Sequence, residues 1–348
     1  MAESKPSRKE IRDASLLKIV TETGYHLESY FDRLKDYTFN TTWMELTQNY
    51  AKALVEARAR RLRGEKESDL IQQLSADIDE SIKKLGCEKV FVRMSTRSAK
   101  DVALQREQAL IIFQEEDKKL IEETQNKYRE DVRHMISLIR TTGKAMSVTS
   151  GKEAVAMFID SQRIYEDLTT SLQTLSEFPR INISIRQFVP LRCELEIRVF
   201  VVNERITAMS QYYSSCFVPW LAEKKQFIQQ RIEDCFAEIN PIINLNSYVI
   251  DFAFDYDDRL WVVEVNLPPP AAGMALFDRN LPADINIVNG SAEFEFRINT
   301  TDDPSIDLRK NHRMFFDRLK EHEAKAQLAT NKNTGARQQG KPKRKVSF

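Results

Sequence analysis

The stretch YVIDFAFDYDDRLWVVEVNLPPP, residues 248–270, combines a run of apolar residues typical of a buried sheet with the polar residues Asp251, Glu264 and Asn266. An ionised carboxylate that leaves water destabilises the fold unless a cation or hydrogen-bond donors meet it. These residues therefore predict a positive charge beside the hairpin that this stretch is expected to form.

The register of the hairpin decides which polar residues meet. The hairpin loop is expected to comprise residues 256–259 or only residues 257–258. Either loop pairs Asp251 with Glu264 and Val249 with Asn266. Side chains alternate along a strand, so Glu264 and Asn266 share one face. The opposite face of the second strand is expected to carry Trp261, Val263 and Val265.

Two carboxylates and an amide oxygen in this register form a site for a hard cation, since cross-strand Cβ atoms lie roughly 5 Å apart. Magnesium is typically held by one or two carboxylates together with waters and substrate phosphates, whereas calcium takes a fuller oxygen cage. We therefore expect Asp251, Glu264 and Asn266 to be magnesium ligands. The alternative is that Asp251 pairs with an arginine and Glu264 faces solvent.

Cationic residues in other expected strands extend this hypothesis to a polyphosphate. Arg93 lies on the polar face of the strand KVFVRMS, and Arg186 lies in NISIRQFVP. Arg198 shares a face with Glu196 in ELEIRVFVV. A polyphosphate between these cations and a magnesium ion on the hairpin would satisfy both sets of charges. Taken singly, each arginine is more often a surface or ion-pair residue.

Composition restricts the functional classes. The chain has 52 Lys and Arg against 52 Asp and Glu, so no global charge directs it to nucleic acid or to a membrane surface. Its first residues, MAESKPSRKEIRDAS, lack the apolar core of a signal peptide, and no stretch is apolar for long enough to span a bilayer. Four scattered cysteines fit reduced thiols. We expect a soluble cytoplasmic protein.

Several familiar motifs are missing. Glycine is scarce, with only 9 in the chain, and neither TTGKAM nor TSGKEA has the spacing of a Walker loop. The sequence HEAKA lacks the second histidine of a zincin motif, and no nucleophile-elbow sequence is present. No residue is therefore assigned a catalytic role from these motifs.

Helix patterns mixed with antiparallel strands predict an α+β fold. We expect a helical N-terminal region at 1–86, a first lobe at 87–180 and a second lobe with the hinge strand and hairpin at 181–328. A charged amphipathic segment at about 102–141 is expected to be a helical arm or insertion in the first lobe. Residues 329–348 are expected to form a disordered basic tail, whose GKPKRK cluster resembles a nuclear-import or nucleic-acid patch.

The order of these motifs resembles the ATP-grasp arrangement and, more narrowly, the cell-division-cycle protein 123 family. The resemblance is carried by VFVRMSTRSAKD at 90–101, EIRVFVVNERITAMSQYY at 196–213, and YVIDFAFD followed by WVVEVNLPPP. It covers most of the chain after about residue 85. It implies an ATP-grasp-like, two-lobed α+β fold with a nucleotide cleft between antiparallel sheets.

The resemblance also implies the residues that contact ATP and Mg²⁺. The nucleotide-binding set is Arg93, Lys100, Arg186, Gln187, Phe188, Val189, Glu196, Arg198, Asp251, Glu264 and Asn266. Within it, residues 187–189 would be the adenine hinge, and Asp251, Glu264 and Asn266 would hold the metal. Arg93 stands where the family usually has lysine and Glu264 where it usually has aspartate, so the nucleotide geometry is expected to differ.

The family's proteins are assembly factors that help to put together translation initiation factor two by engaging its gamma subunit. The resemblance therefore implies an ATP- and magnesium-binding assembly factor with a protein partner, the gamma subunit. Nucleic acid would be contacted only through the basic tail, which could also direct the protein to the nucleus. The alternatives are an ATP-dependent ligase or phosphotransferase with an unknown acceptor, and a pseudo-enzyme whose cleft contains only ion pairs.

Overall fold

The structure is a computed structural model that describes residues 8–303 and 308–325, with side chains for 13–303 and 309–325. The expected basic tail at 329–348, with its GKPKRK cluster, lies outside the described residues. Within the described ranges, no helix has both the length and the apolar character needed to cross a bilayer.

The N-terminal region forms helices and one strand. Its elements are α1 (Arg8–Thr21), α2 (Leu27–Leu34), β1 (Thr41–Glu45), α3 (Gln48–Leu62) and α4 (Asp69–Leu85). Helix α4 buries the periodic residues Ile71, Leu74, Ile78 and Ile82, and it ends at Gly86, whose φ of 72° is left-handed. Strand β1 was not predicted from the sequence.

The first sheet has four strands in the order β1-β4-β2-β3, and every pair in it is antiparallel. The three new strands are β2 (Val90–Met94), β3 (Ser147–Val148) and β4 (Asn182–Gln187). The N-terminal region therefore supplies an edge strand to this sheet.

The second sheet has five strands in the order β8-β7-β5-β6-β9. They are β5 (Ile197–Val202), β6 (Arg205–Gln211), β7 (Tyr248–Phe254), β8 (Leu260–Asn266) and β9 (Glu295–Arg297). All its pairs are antiparallel except β6 with β9. Two sheets combined with helices confirm the predicted α+β class.

The segment 102–141 contains most of a 3₁₀ helix (Lys100–Gln105), the whole of helix α5 (Gln108–Thr124) and most of helix α6 (Glu130–Ala145). These two helices pack against each other, and Phe113 of α5 contacts Phe315 and Phe316 of the helix at 313–325. The remaining helices are α7 (Gly151–Asp160), α8 (Gln162–Thr174), α9 (Leu221–Ile243) and α10 (Pro282–Val288).

The β7–β8 hairpin has the predicted register at its polar end, where Asp251 lies opposite Glu264 and Val249 lies opposite Asn266. The register then shifts by one residue, which leaves Val263 as a β-bulge. The Asp255 amide donates to the Arg259 carbonyl, so these two residues face each other at the turn. Both predicted loops are therefore wrong.

The bulge interrupts the predicted alternation of side chains at Val263. Val263 and its neighbour Glu264 both line one cavity.

The start of α7 lies against the backbone of α4. A Cβ atom on Gly151 would lie 1.9 Å from the backbone oxygen of Ser75. The Gly151 amide donates to Asp79 Oδ1 at 2.6 Å, which holds the two helices at this distance. Only glycine fits here without a shift of α4.

We predict that Gly151→Ala lowers the free energy of unfolding by about 1–3 kcal/mol, the usual cost of overpacking a rigid contact. Urea denaturation measures the change. Gly24→Ala is the matched control, because its Cβ would meet nothing within 4 Å. Equal stability of the two variants would show that α4 and α7 separate without cost.

Candidate functional site

The polar residues of the hairpin lie in a cleft between the two sheets. Arg93 of β2 crosses this cleft and donates from Nη1 to Glu264 Oε2 at 2.6 Å. Arg186 of β4 crosses it as well and donates from Nη1 to the Val263 carbonyl at 2.9 Å. Two guanidinium groups of the first sheet therefore contact β8 of the second.

Asp251 is fully buried and pairs with Arg198 on the neighbouring strand β5. Arg198 donates from Nε and Nη2 to the two carboxylate oxygens of Asp251 at 2.8 and 2.7 Å. Asn266 Nδ2 donates to Asp251 Oδ2 at 3.2 Å. Burial raises the pKa of Asp251, and the Arg198 guanidinium opposes that shift. One half of the alternative, an arginine partner for Asp251, is thus confirmed.

Glu264 does not face bulk solvent, so the other half of that alternative is wrong. Its side chain is 22% exposed, and the exposed part lies in the cleft beside Arg93. Burial alone would raise the pKa of Glu264, but the Arg93 guanidinium and the Lys100 ammonium outweigh it and hold that pKa well below its usual range. Glu264 is therefore an ionised carboxylate near neutral pH.

One cavity of the cleft, which we call the cationic cavity, has a volume of about 260 Å³. Its charged lining residues are Arg93, Arg97, Lys100, Arg163, Arg198 and Glu264. Asp251 neutralises Arg198, Glu264 neutralises Arg93, and Asp167 accepts from Arg97 Nε at 3.0 Å. Among the described side chains, Lys100 and Arg163 have no carboxylate partner, so the cavity carries excess positive charge.

Tyr212 places two of these cations. Lys100 donates to its hydroxyl, and Lys100 Nζ lies 4.8 Å from the ring centroid. The Arg198 guanidinium carbon also lies 4.8 Å from this centroid. The ring therefore orients both cations in the cavity wall through cation–π contacts.

A second cavity, the apolar cavity, adjoins the first and has a volume of about 140 Å³. Its apolar lining residues are Phe39, Phe91, Met146, Phe188, Val189, Leu191 and Val263. Arg93, Lys100, Tyr212 and Glu264 line both cavities and form their common wall. A flat apolar group in one cavity can therefore continue into an anionic group in the other.

Arg186 lines the apolar cavity, although it is only 1% exposed. Its Nη2 donates to Thr38 Oγ1 at 2.6 Å, and its guanidinium carbon lies 4.7 Å from the Phe39 ring centroid. Burial, with Arg93 nearby, lowers the pKa of Arg186 to about 10. The guanidinium contacts the bulged strand and the N-terminal segment, and within the described residues it forms no salt bridge.

Glu196 directly precedes β5 and lines the apolar cavity. Burial, followed by the charge of Asp251, raises its pKa to about 8. Its carboxyl group is therefore largely protonated at neutral pH and can donate a hydrogen bond.

The structure brings the residues expected from the sequence into one cleft. Each of them lines one or both cavities except Asp251, which lies buried behind Arg198. Sequence reasoning missed Tyr212, Arg163 and Phe39 as lining residues. Tyr212 is the penultimate residue of the motif at 196–213, but nothing in the helical pattern around Arg163 separates it from an ordinary surface arginine.

Of the three hairpin residues expected to bind magnesium, Glu264 and Asn266 line the cationic cavity, whereas Asp251 does not. Among the residues that the structure describes, no group of three or more His, Cys, Asp or Glu could hold a metal alone. Asp251, Glu264 and Asn266 supply hard oxygen ligands but no complete cage, and Arg198 already occupies both oxygens of Asp251. Such a set requires further oxygen ligands from a phosphate and from water.

Comparison with known proteins gave a family match and a curated relative. The model of the D123 family matches residues 35–317. A stretch of 94 residues is 29% identical to a Dictyostelium discoideum protein named translation initiation factor eIF2 assembly protein. This stretch covers 27% of the chain and 24% of that relative, so the match spans about a quarter of the relative's length.

Two solved structures share the fold. Cdc123 from Schizosaccharomyces pombe has a TM-score of 0.55 and 14% identity, over 82% of this chain and 97% of that one. Its C-terminally truncated form has the same score and identity, over 83% and 98%. At this identity the likeness concerns the fold alone.

We predict that Asp251→Ala lowers the free energy of unfolding by about 3–5 kcal/mol, because it leaves a buried guanidinium unpaired. The double variant Asp251→Ala/Arg198→Met should lose less than the sum of the two single variants. Urea denaturation of all four proteins closes the cycle. Additive losses would contradict a direct energetic coupling of the pair.

We also predict that Glu196 makes stability depend on pH. In the unfolded chain a glutamate releases its proton near pH 4.3, whereas folded Glu196 retains it up to a pKa of about 8. Its contribution to the free energy of unfolding therefore declines as pH rises through this window. Between pH 5 and pH 8, the free energy of unfolding of Glu196→Gln should rise by at least about 1 kcal/mol relative to that of wild type. Urea denaturation at several pH values measures this difference. A pH-independent difference would refute this.

Proposed function

The chain belongs to the D123 family, and on that premise we propose that it is an ATP- and magnesium-binding assembly factor for translation initiation factor 2. The printed name of the Dictyostelium discoideum relative supports the assembly role. The motif resemblance supports the nucleotide, the metal and the gamma subunit as partner.

The adjoining cavities carry the nucleotide part of the proposal. The apolar cavity, with residues 187–189 on its wall, suits a purine ring. The cationic cavity beside it suits a triphosphate, because Lys100 and Arg163 add positive charge that no described carboxylate pairs with. Pockets for small ligands commonly combine such an apolar lining with a few convergent polar groups.

Each group in the cleft has a distinct task in this proposal. Arg93, Lys100 and Arg198 hold phosphate oxygens through charge-assisted hydrogen bonds. Glu264 and Asn266, with Asp251 behind them, hold magnesium, which neutralises phosphate charge when it is bound. Protonated Glu196 avoids a repulsive charge beside the nucleotide.

A nucleotide in this cleft would touch both sheets and so fix their relative position. Arg93 belongs to the first sheet, and Glu264 and Arg198 belong to the second. Binding alone can therefore order the surface that grips a partner, with no need for chemical turnover. An assembly factor that only binds ATP differs in this respect from a ligase, which must turn ATP over.

Labelled ATP tests that distinction. Purified protein should bind ATP with magnesium and release no phosphate. Phosphate release that depends on an added acceptor would favour the ATP-dependent ligase or phosphotransferase instead.

The partner is tested with separately purified subunits of the factor. We expect the immobilised chain to retain the isolated gamma subunit. It should also retain the gamma subunit from a cytoplasmic extract. Retention of another subunit in its place would overturn the choice of partner and leave the nucleotide site unaffected.

We predict that Asn266→Ala weakens ATP binding in magnesium by at least tenfold, which corresponds to about 1.4 kcal/mol. With EDTA the variant and the wild type should bind ATP alike, because the side chain then has no metal to hold. Asn246→Ala, on the exposed turn before β7, is the matched control for calorimetry. An unchanged affinity in magnesium would show that the hairpin does not bind the metal.

A further inference from the structure

Three residues that line the cationic cavity carry buried polar atoms without a hydrogen-bond partner. These atoms are His26 Nδ1, Thr96 Oγ1 and Arg163 Nη1. His26 and Thr96 are 3% and 8% exposed. Buried polar atoms are nearly always paired, so these three atoms leave hydrogen-bonding capacity beside the cavity for a ligand or for water.

Arg163 is held in place by its backbone and not by its side chain. Its amide donates to Asp101 Oδ2 at 3.3 Å, and its carbonyl accepts from Arg97 Nη2 at 2.8 Å. Within the described residues no carboxylate pairs with its guanidinium. Burial, reinforced by the charge of Arg97, lowers the pKa of Arg163. The fold thus keeps an uncompensated cation at the cavity wall.

Thr96 occupies the same wall through a contact with the paired arginine of β2. Its carbonyl oxygen accepts from Arg93 Nη2 at 3.4 Å. The Thr96 backbone therefore lies beside Arg93, and the Thr96 hydroxyl has no partner of its own among the described residues.

The position of these residues relative to the common wall indicates what they bind. Arg93, Lys100, Tyr212 and Glu264 line both cavities, whereas Arg163, Thr96 and His26 line the cationic cavity alone. A phosphate chain that starts from a base in the apolar cavity passes the common wall first. Its far end then meets the residues that line only the cationic cavity.

We propose that Arg163 and Thr96 form a subsite for the terminal phosphate of a nucleoside triphosphate, with His26 beside them. This inference rests on the proposed nucleotide function. The subsite makes the cleft select a triphosphate over a diphosphate, because a diphosphate is too short to engage the uncompensated guanidinium.

Calorimetric titration of the full chain with ATP and with ADP, both in magnesium, tests the subsite. Arg163→Gln should weaken ATP binding at least tenfold and ADP binding less than threefold. Arg58→Gln is the matched control, because Arg58 donates to the Ser161 carbonyl beside the same helix, at 3.1 Å, but lines neither cavity. It should leave the ratio of ATP to ADP affinity unchanged.

The outcomes separate this subsite from the nucleotide site itself. Equal losses for both nucleotides, or no loss in Arg163→Gln, would overturn the subsite while ATP binding by the wild type upholds the proposed function. If Arg163 instead binds an oxyanion of a second ligand, Arg163→Gln should leave ATP affinity unchanged, and that result would overturn the subsite. A wild type that binds neither nucleotide would overturn both proposals.

A second variant covers the case in which Arg163→Gln melts several degrees lower than wild type. Thr96→Val keeps the size of the side chain and removes only the hydroxyl. It should weaken ATP binding by at least threefold and leave ADP binding unchanged. Loss of both affinities to the same extent, or of neither, would overturn the subsite.

Discussion

The cleft depends on one constraint: a carboxylate that is buried in a sheet needs a cationic partner buried beside it. Arg198 and Asp251 meet it directly, since they are paired residues on adjacent strands and the acid has no exposed surface. Arg93 and Glu264 meet it across the two sheets. The hairpin can carry acids only because arginines from two other strands converge on it, and the cationic cavity lies where they converge.

The outer edge of β8 is closed by the N-terminal segment. The Val262 amide donates to the Tyr37 carbonyl, and the Thr38 hydroxyl donates to the Val262 carbonyl. The Val265 amide donates to the Tyr30 hydroxyl. An open edge would invite pairing with another chain, so this segment both protects the second sheet and brings Thr38 to the buried guanidinium of Arg186.

The sequence predicted structural features that depend on residues near one another in the chain. It did not predict features that depend on a contact with a distant segment. The predicted pairing of Asp251 with Glu264 is present, because the bulge at Val263 offsets the error in the predicted loop. The bulge at Val263 was not predictable, because its carbonyl is held by Arg186 from the other sheet. The pattern TTWME of β1 becomes a strand only beside β4. Arg163 reaches the cavity because α8 packs there, and no spacing within the helix encodes that.

The closure of β8 also bears on the order of folding. The hydrogen bond between Tyr30 and Val265 joins residues that are 235 positions apart, and that between Thr38 and Val262 joins residues 224 apart. During synthesis the early segment leaves the ribosome long before its partner strand exists. Loop closure over such distances is slow, and the N-terminal segment and the arginines that contact β8 remain without these partners until the second half of the chain has been made.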